Sequence, residues 1–416
     1  MLQKSGDPPP GFSMKPIRDY IGYVVLIAPL INSVSGIAID LFAPSMPAIA
    51  AQMQVSDSVM QSSISITLVA YAAGQLVFGL IADSRGRLSA LLPGMALFVV
   101  ASLLAMVSND IDTFLLARAL QGFAVGGSQV ASRALVVDTV KGERFISAVV
   151  YMSLAWGLGP VLAPFIGGLI QQYANWRWNF ALYAVYSGVL LIASLRLRES
   201  LAPEHRRSMK ASAAGYSLIL AHRRFQCAVL AMGSSQAMFL VWNITGPFLV
   251  QSELHRGPGF FGITALGAGL AYLLGTLTNR WLMRIYGVGQ RMVAGLTTSA
   301  VGVLVMALTP LSLNVPLILS GILLINFGQG LLYSNIVAKT LTLFPDRAAT
   351  TSSLMGCSMM LCGAAGAMLT GYLEFDRNLT ALLLFGTLMT LQVLGVIPLR
   401  HPAPVVGRGA TTGSSF

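Results

Sequence analysis

Twelve stretches of this chain are long and apolar enough to leave water, and that decides its fold class before any motif is read. A spanning helix needs about 20 mostly apolar residues. The stretches cover residues 21–48, 58–82, 88–108, 113–137, 145–171, 178–197, 225–251, 260–283, 290–310, 313–338, 349–373 and 378–398. Charged residues make up only 10% of the chain, whereas an average soluble domain carries about 25%. That scarcity excludes disorder, a coiled coil and a nucleic-acid-binding protein. The 42 glycines and 19 prolines are too many for soluble helices and ordinary for membrane ones. The expected fold is an all-α membrane protein of twelve transmembrane helices in two six-helix, pseudo-symmetric halves. The longest polar break, 198–224, holds Arg198, Arg206, Arg207, Lys210, Arg223 and Arg224. The chain therefore divides into an N-terminal tail (1–20), a first half (21–197), a linker (198–224), a second half (225–398) and a C-terminal tail (399–416).

The basic residues fix an orientation. With both termini in the cytoplasm, 21 of the 26 Lys and Arg fall on the cytoplasmic side. Only Arg177, Arg256 and Arg377 fall outside, and Arg118 and Arg133 lie within the fourth span. Such a bias is the positive-inside rule, and it accounts for the basic pI near 9.9 without an acidic partner. The location that follows is the inner membrane, with both termini cytoplasmic. The start of the chain is polar and Pro-rich, so no cleavable leader is expected.

Two six-span halves joined by a linker suggest a secondary transporter, with its site near the midplane. No G-x-x-x-x-G-K-[ST] loop is present, so ATP is not the expected energy source. No nucleophile–base pair lies in the spans, so no enzyme activity is expected. Cys227, Cys357 and Cys362 form neither a C-x-x-C nor an even set, which argues against a metal or disulfide framework. Neither a metal nor an organic cofactor is expected.

Charges inside hydrocarbon are costly and mark function. Of 15 Asp and Glu, only Asp40 falls well inside a span. At ~1.5 Å per residue, Asp40 lies roughly 12 Å and Arg118 roughly 8 Å below the outer ends of their spans. An ion pair between them is geometrically allowed. A carboxyl in low dielectric holds its proton more readily and a nearby guanidinium favours its release, so the pair suits proton coupling; a static lock between two helices stands as the other reading. His205, His222, His255 and His401 all lie outside the spans, which excludes a histidine relay. Asn32, Ser35, Tyr71, Gln75, Asn243, Asn326 and Gln329 are intramembrane polar groups that either face a substrate cavity or serve helix contacts.

Conformational roles fall to three segments. The loop after the second span carries Asp83, Gly86 and Arg87. Asp83 is placed to accept from the free N–H groups of a neighbouring helix start. Near the inner end of the fourth span lie Arg133, an anchor or a gate, and Asp138. The fifth span carries Gly159, Pro160, Pro164, Gly167 and Gly168, which allow close approach and bending. Pro44 and Pro47 would loosen the first span just beyond Asp40. Trp176 and Trp178 read as an interfacial aromatic belt.

These residues make the chain resemble the major facilitator superfamily, and within it the twelve-span drug:proton antiporters of the Bcr/CflA branch, over roughly residues 20–398. Asp40-Leu41-Phe42-Ala43-Pro44 resembles that branch's D-M-Y-L-P. Arg118-Ala119-Leu120-Gln121-Gly122 matches R-x-x-Q-G, which the family links to proton coupling. Arg133-Ala134 with Asp138 matches R-A-x-x-x-D. Gly159-Pro160, Ala163-Pro164 and Gly167-Gly168 match the antiporter motif. Pro247-Phe248-Leu249-Val250-Gln251 resembles a motif of the seventh span. In the loop motif D-R-x-G-R-R, Ser84 and Leu88 replace two arginines, and Arg85 fills the variable position. The resemblance implies proton-coupled export of small amphipathic organic molecules or drugs by alternating access, with Asp40, Arg118 and Gln121 as the coupling residues. Its expected partners are a small-molecule substrate and the bilayer, and the chain is expected to act as a monomer. A dedicated metabolite or siderophore carrier of the same fold, working in either direction, is the alternative. A non-transporting sensor is disfavoured, because the short tails leave no room for a signalling domain.

Overall fold

The computed structural model describes residues 19–206, 216–308, 315–341, 343–344, 348–372 and 377–400. Residues 1–18 and 401–416 of the expected tails, and the part of the linker from 207 to 215, lie outside the described residues. Among them there is no strand, and twelve helices of 18 residues or more follow one another. They are α1 (Tyr20–Ile37), α2 (Asp57–Arg85), α3 (Leu88–Val107), α4 (Ile111–Thr139), α5 (Gly142–Tyr173), α6 (Arg177–Ser194), α7 (Arg223–Phe248), α8 (Pro258–Leu282), α9 (Val288–Met306), α10 (Val315–Leu341), α11 (Ala348–Tyr372) and α12 (Arg377–Arg400). Eight of them, all but α4, α5, α6 and α11, meet length and hydropathy limits for crossing a membrane. α4 carries Arg118, Gln121, Gln129, Arg133 and Asp138, which lower its hydropathy without shortening it.

Local chemistry sets the ends. The Asp19 side chain accepts from the Gly22 N–H at 2.8 Å, Ser56 caps α2 through the Val59 N–H, and Asp110 caps α4 through the Thr113 N–H at 2.8 Å. Gly86 ends α2 at φ +117°, a backbone conformation that side chains disfavour.

The first span is not continuous to residue 48. α1 stops at Ile37, a 3₁₀ turn covers Ala43–Ser45, and a short helix runs Met46–Met53. Pro44 has no N–H to give the Asp40 carbonyl four residues back, and Ala43 bonds that carbonyl instead, at 3.3 Å. Asp40 therefore sits in a break between helices rather than within one.

The chain forms two compact units. The first comprises Met1–Ala214, Asn243–Leu266 and Ala367–Tyr372, so α7, α8 and α11 each contribute a segment to it. The second comprises Gly215–Trp242, Gly267–Gly366 and Leu373–Phe416. In the first, α2 and α4 touch backbone to backbone. A Cβ on Gly74 would stand 2.1 Å from the Phe123 carbonyl oxygen, and one on Gly122 would stand 2.1 Å from that of Thr67. The second unit repeats the device between α8 and α10. A Cβ on Gly275 would stand 2.1 Å from the Phe327 carbonyl oxygen, and one on Gly330 would stand 2.1 Å from that of Tyr272. Such contacts bring helices together where lipid supplies no hydrophobic drive.

Candidate functional site

Asp40 is the only Asp or Glu classed as buried among the described residues, at 3% exposure. Main-chain carbonyls in and beside the break in the first span are taken by side chains from three directions. Arg118 on α4 donates to the Ala38 carbonyl at 3.2 Å. Tyr183 on α6 donates to that of Ile37 at 2.9 Å, and Gln251 to that of Pro44 at 2.8 Å. From α5, Gly167 lies against Leu41, where a Cβ would come within 1.7 Å of the carbonyl oxygen, and Gly159 lies against Gly36. Gly167 thus fits the broken segment directly, Gly159 fits the last turn of α1 before it, and Gly168 lies beside Pro258. Pro160 and Pro164 sit inside α5, which continues through both.

Arg118 is fully buried, and no ion pair joins it to Asp40. Its other bond runs to the Gln121 Oε1 at 2.5 Å, its guanidinium lies 4.2 Å from the centre of the Phe42 ring, and its Nε has no partner. Gln121 is held in turn by the Ser102 hydroxyl at 2.8 Å. Asp40 accepts from the Asn243 side chain at 2.7 Å instead. Equal depth made the ion pair possible, but the helix break swings the carboxyl away and offers the guanidinium a carbonyl two residues earlier. Phe42 also belongs to a buried aromatic cluster with Phe114, Trp176 and Phe180. Trp176 is 2% exposed and donates to Gln52 at 2.7 Å, so only Trp178, at 57%, suits an interfacial belt.

A second cluster forms where α2 gives way to α3. Arg87 bonds Asp83 at 2.6 Å and Asp138 at 2.8 Å. The helix start is capped, but not by Asp83. Glu199, just after α6, accepts from the Arg87 and Leu88 N–H groups at 2.8 and 3.0 Å, and it fills the space beside Gly86. The next residue, Ser200, donates to Asp138 at 3.0 Å. Asp83 is spent on its own loop because Arg87 lies one turn away. Arg133 is exposed and joins no ion pair among the described residues.

The polar candidates separate into four places, the first being Asn243 beside Asp40. Asn32, Ser35, Tyr71 and Gln75 gather with Gln129 in the first unit, where Gln75 donates to Gln129 and Gln129 donates to Ser35. Gln329 joins Ser235 and Gln392 in the second unit. Asn326 turns onto its own helix, donating to the Ile322 carbonyl at 2.9 Å. Gln129 was legible: Arg118, Gln121 and Gln129 share one face of α4 at helical spacing. Glu199, Ser235 and Gln392 carried no such signal, since their partners lie far off in sequence.

Twelve long helices, eight of them apolar enough to cross a membrane, with one buried carboxyl among the described residues at a helix break and a fully buried arginine near it, define a polytopic membrane protein with charged groups held inside it. The chain belongs to the Major Facilitator Superfamily, which it matches over residues 30–367. Among its relatives, the multidrug transporter MdfA of Yersinia pestis is 27% identical over 378 residues, covering 89% of this chain and 92% of that one. The chloramphenicol resistance protein CraA of Acinetobacter baumannii is 24% identical over 352 residues, covering 83% and 84%. The solved structure of a POT family transporter in complex with 5-aminolevulinic acid superposes with a TM-score of 0.72 at 12% identity, over 92% of this chain and 96% of that one. That likeness is one of fold.

Proposed function

We propose that this protein exports small amphipathic organic molecules or drugs across the inner membrane in exchange for protons, by alternating access. The buried carboxyl of Asp40 carries the reading. It lies in a non-helical segment whose carbonyls are gripped by Arg118, Tyr183 and Gln251, so any movement of that segment changes the surroundings of the carboxyl. A carboxyl that meets a neutral amide in one state and a guanidinium in another alternately keeps and releases a proton. Asp40 is the proton site, and Arg118, held by Gln121, is its positioning cation. The multidrug relatives over most of the chain's length support the cargo class. In this reading both termini are cytoplasmic, Asp83, Arg87, Asp138 and Glu199 close the cytoplasmic end of the first unit, and α5, through Gly159, Pro160, Pro164, Gly167 and Gly168, transmits motion to the Asp40 segment. Protons are the coupling ion, no metal or organic cofactor takes part, and the working unit is the monomer.

The test is Asp40→Asn in everted membrane vesicles energised to an acidic interior. The variant reaches the membrane in wild-type amounts but does not concentrate a fluorescent dye against its gradient. Uphill transport at the wild-type rate overturns the assignment.

A further inference from the structure

The polar cluster of the first unit has more hydrogen-bonding capacity than its members use. Five side chains take part: Asn32 and Ser35 one turn apart on α1, Tyr71 and Gln75 one turn apart on α2, and Gln129 on α4. Asn32 donates to the Met152 carbonyl of α5 at 3.0 Å, and Ser35 donates to the Asn32 carbonyl at 2.6 Å while accepting from Gln129 at 3.2 Å. Gln75 donates to the Gln129 Oε1. Three buried atoms are left over, namely the Asn32 Oδ1, the Gln75 Oε1 and the Tyr71 hydroxyl. Tyr71 faces Ser35 and Gln75, but no well-directed bond joins it to either. Asn32 is 1% exposed, Tyr71 1% and Gln129 4%. A buried polar atom without a partner costs about 1–3 kcal/mol, so three in one cluster call for a partner from outside the chain.

We infer that Asn32, Ser35, Tyr71, Gln75 and Gln129 form a neutral hydrogen-bonding subsite for an uncharged amide- or hydroxyl-bearing group of the cargo. The inference rests on the export reading and narrows its substrate class. Two spare oxygens accept, so the ligand group must donate. The tyrosine hydroxyl both donates and accepts, so the group must also present an oxygen. No carboxylate belongs to the cluster, and the cationic Arg133 lies one turn beyond Gln129 on α4. A cation finds no countercharge here, whereas a primary amide, or a secondary amide that also carries a hydroxyl, supplies the two donors and the acceptor that satisfy all three atoms. This cluster is separate from Asp40, so recognition of a neutral group need not compete with the proton.

The experiment measures equilibrium binding to the full-length protein in lipid nanodiscs. The probes are radiolabelled N-(2-hydroxyethyl)benzamide, its N-methyl analogue, which lacks the amide N–H, and tetraphenylphosphonium, a cation with no hydrogen-bonding group. Loss of one bond that leaves a buried partner unpaired is worth about 5- to 150-fold in affinity. The wild type is expected to bind the parent amide saturably and to lose about that factor for the N-methyl analogue. Tyr71→Phe and Gln75→Leu are expected to lower the ratio of amide to phosphonium affinity by about the same factor. No saturable amide binding, or equal binding of the amide and its N-methyl analogue, overturns the inference and leaves the spare atoms to ordered water. Dye export that persists alongside such a result leaves the export reading standing, and loss of both removes the two together.

Discussion

Replacing Arg87 by alanine removes two ion pairs of unequal worth, and the inequality is open to measurement. The Arg87 side chain is 12% exposed, Asp138 is 21% exposed and Asp83 is 45% exposed. The bond to Asp138, 2.8 Å long and largely out of water, belongs to the class worth about 1.5–3 kcal/mol. The bond to Asp83 is shorter, at 2.6 Å, but water screens its carboxylate, and such pairs contribute about 0–1 kcal/mol. Arg87→Ala should then destabilise the protein by about 2–4 kcal/mol, most of it from leaving Asp138 without a cation. Asp138→Asn should cost about 2 kcal/mol and Asp83→Asn less than about 1 kcal/mol. The assay is reversible unfolding of the purified protein in mixed micelles by titration with sodium dodecyl sulfate, with a double-mutant cycle between positions 87 and 138. An Asp83→Asn loss equal to or larger than that of Asp138→Asn would refute the argument that burial, rather than bond length, ranks these pairs.

Other substitutions test the packing around the break in the first span. Gly167→Ala puts a Cβ into the Leu41 carbonyl, an overpacking worth about 1–3 kcal/mol, and should lower the thermal midpoint while slowing dye efflux. Efflux at the wild-type rate with an unchanged midpoint would show that α5 does not hold this segment. Trp176→Phe keeps the ring stack and loses the bond to Gln52, so it should cost about 1 kcal/mol in the same micelle titration, and Gln52→Ala should cost the same without adding to it. The Thr113 backbone N–H holds the Asp110 carboxyl below the ordinary carboxylate range. Its capping contribution is therefore full above the unfolded value of about 3.9 and fades as pH falls through the lowered folded value. Amide exchange at the start of α4 should speed up only in strong acid, and in Asp110→Asn it should lose that dependence.

The twelve helices were legible in the sequence because hydropathy reports burial in lipid directly. The stretch read as 88–108 is α3 at Leu88–Val107, and that read as 260–283 is α8 at Pro258–Leu282. The break in the first span was misread although its cause was visible, since Pro44 and Pro47 were taken to loosen a helix that in fact stops at Ile37. Depth along a span can be counted from residue numbers, and it set Asp40 and Arg118 at one level. Which way a side chain turns cannot be counted, because the carbonyls freed by the break outcompeted the carboxylate for the guanidinium. The same limit hid Trp176, whose place at a helix end suggested the interface while its neighbours Phe114 and Phe180 enclose it. Glu199 took the capping role assigned to Asp83 because it arrives from a segment more than a hundred residues away.

The backbone contacts of α2 with α4, and of α8 with α10, bear on how such a chain can drift. Every replacement of Gly74, Gly122, Gly275 or Gly330 adds atoms where a carbonyl oxygen already stands about 2.1 Å from the first of them. Elsewhere in a core, change can proceed by small steps in either direction, trimming one side chain and enlarging its neighbour. Here no trimming step exists, because glycine has nothing to give up and the facing group is main chain. These positions are dead ends for gradual repacking. A lineage carrying this fold would vary its cargo through side chains lining the helices, while the spacing of these two helix pairs stays the same.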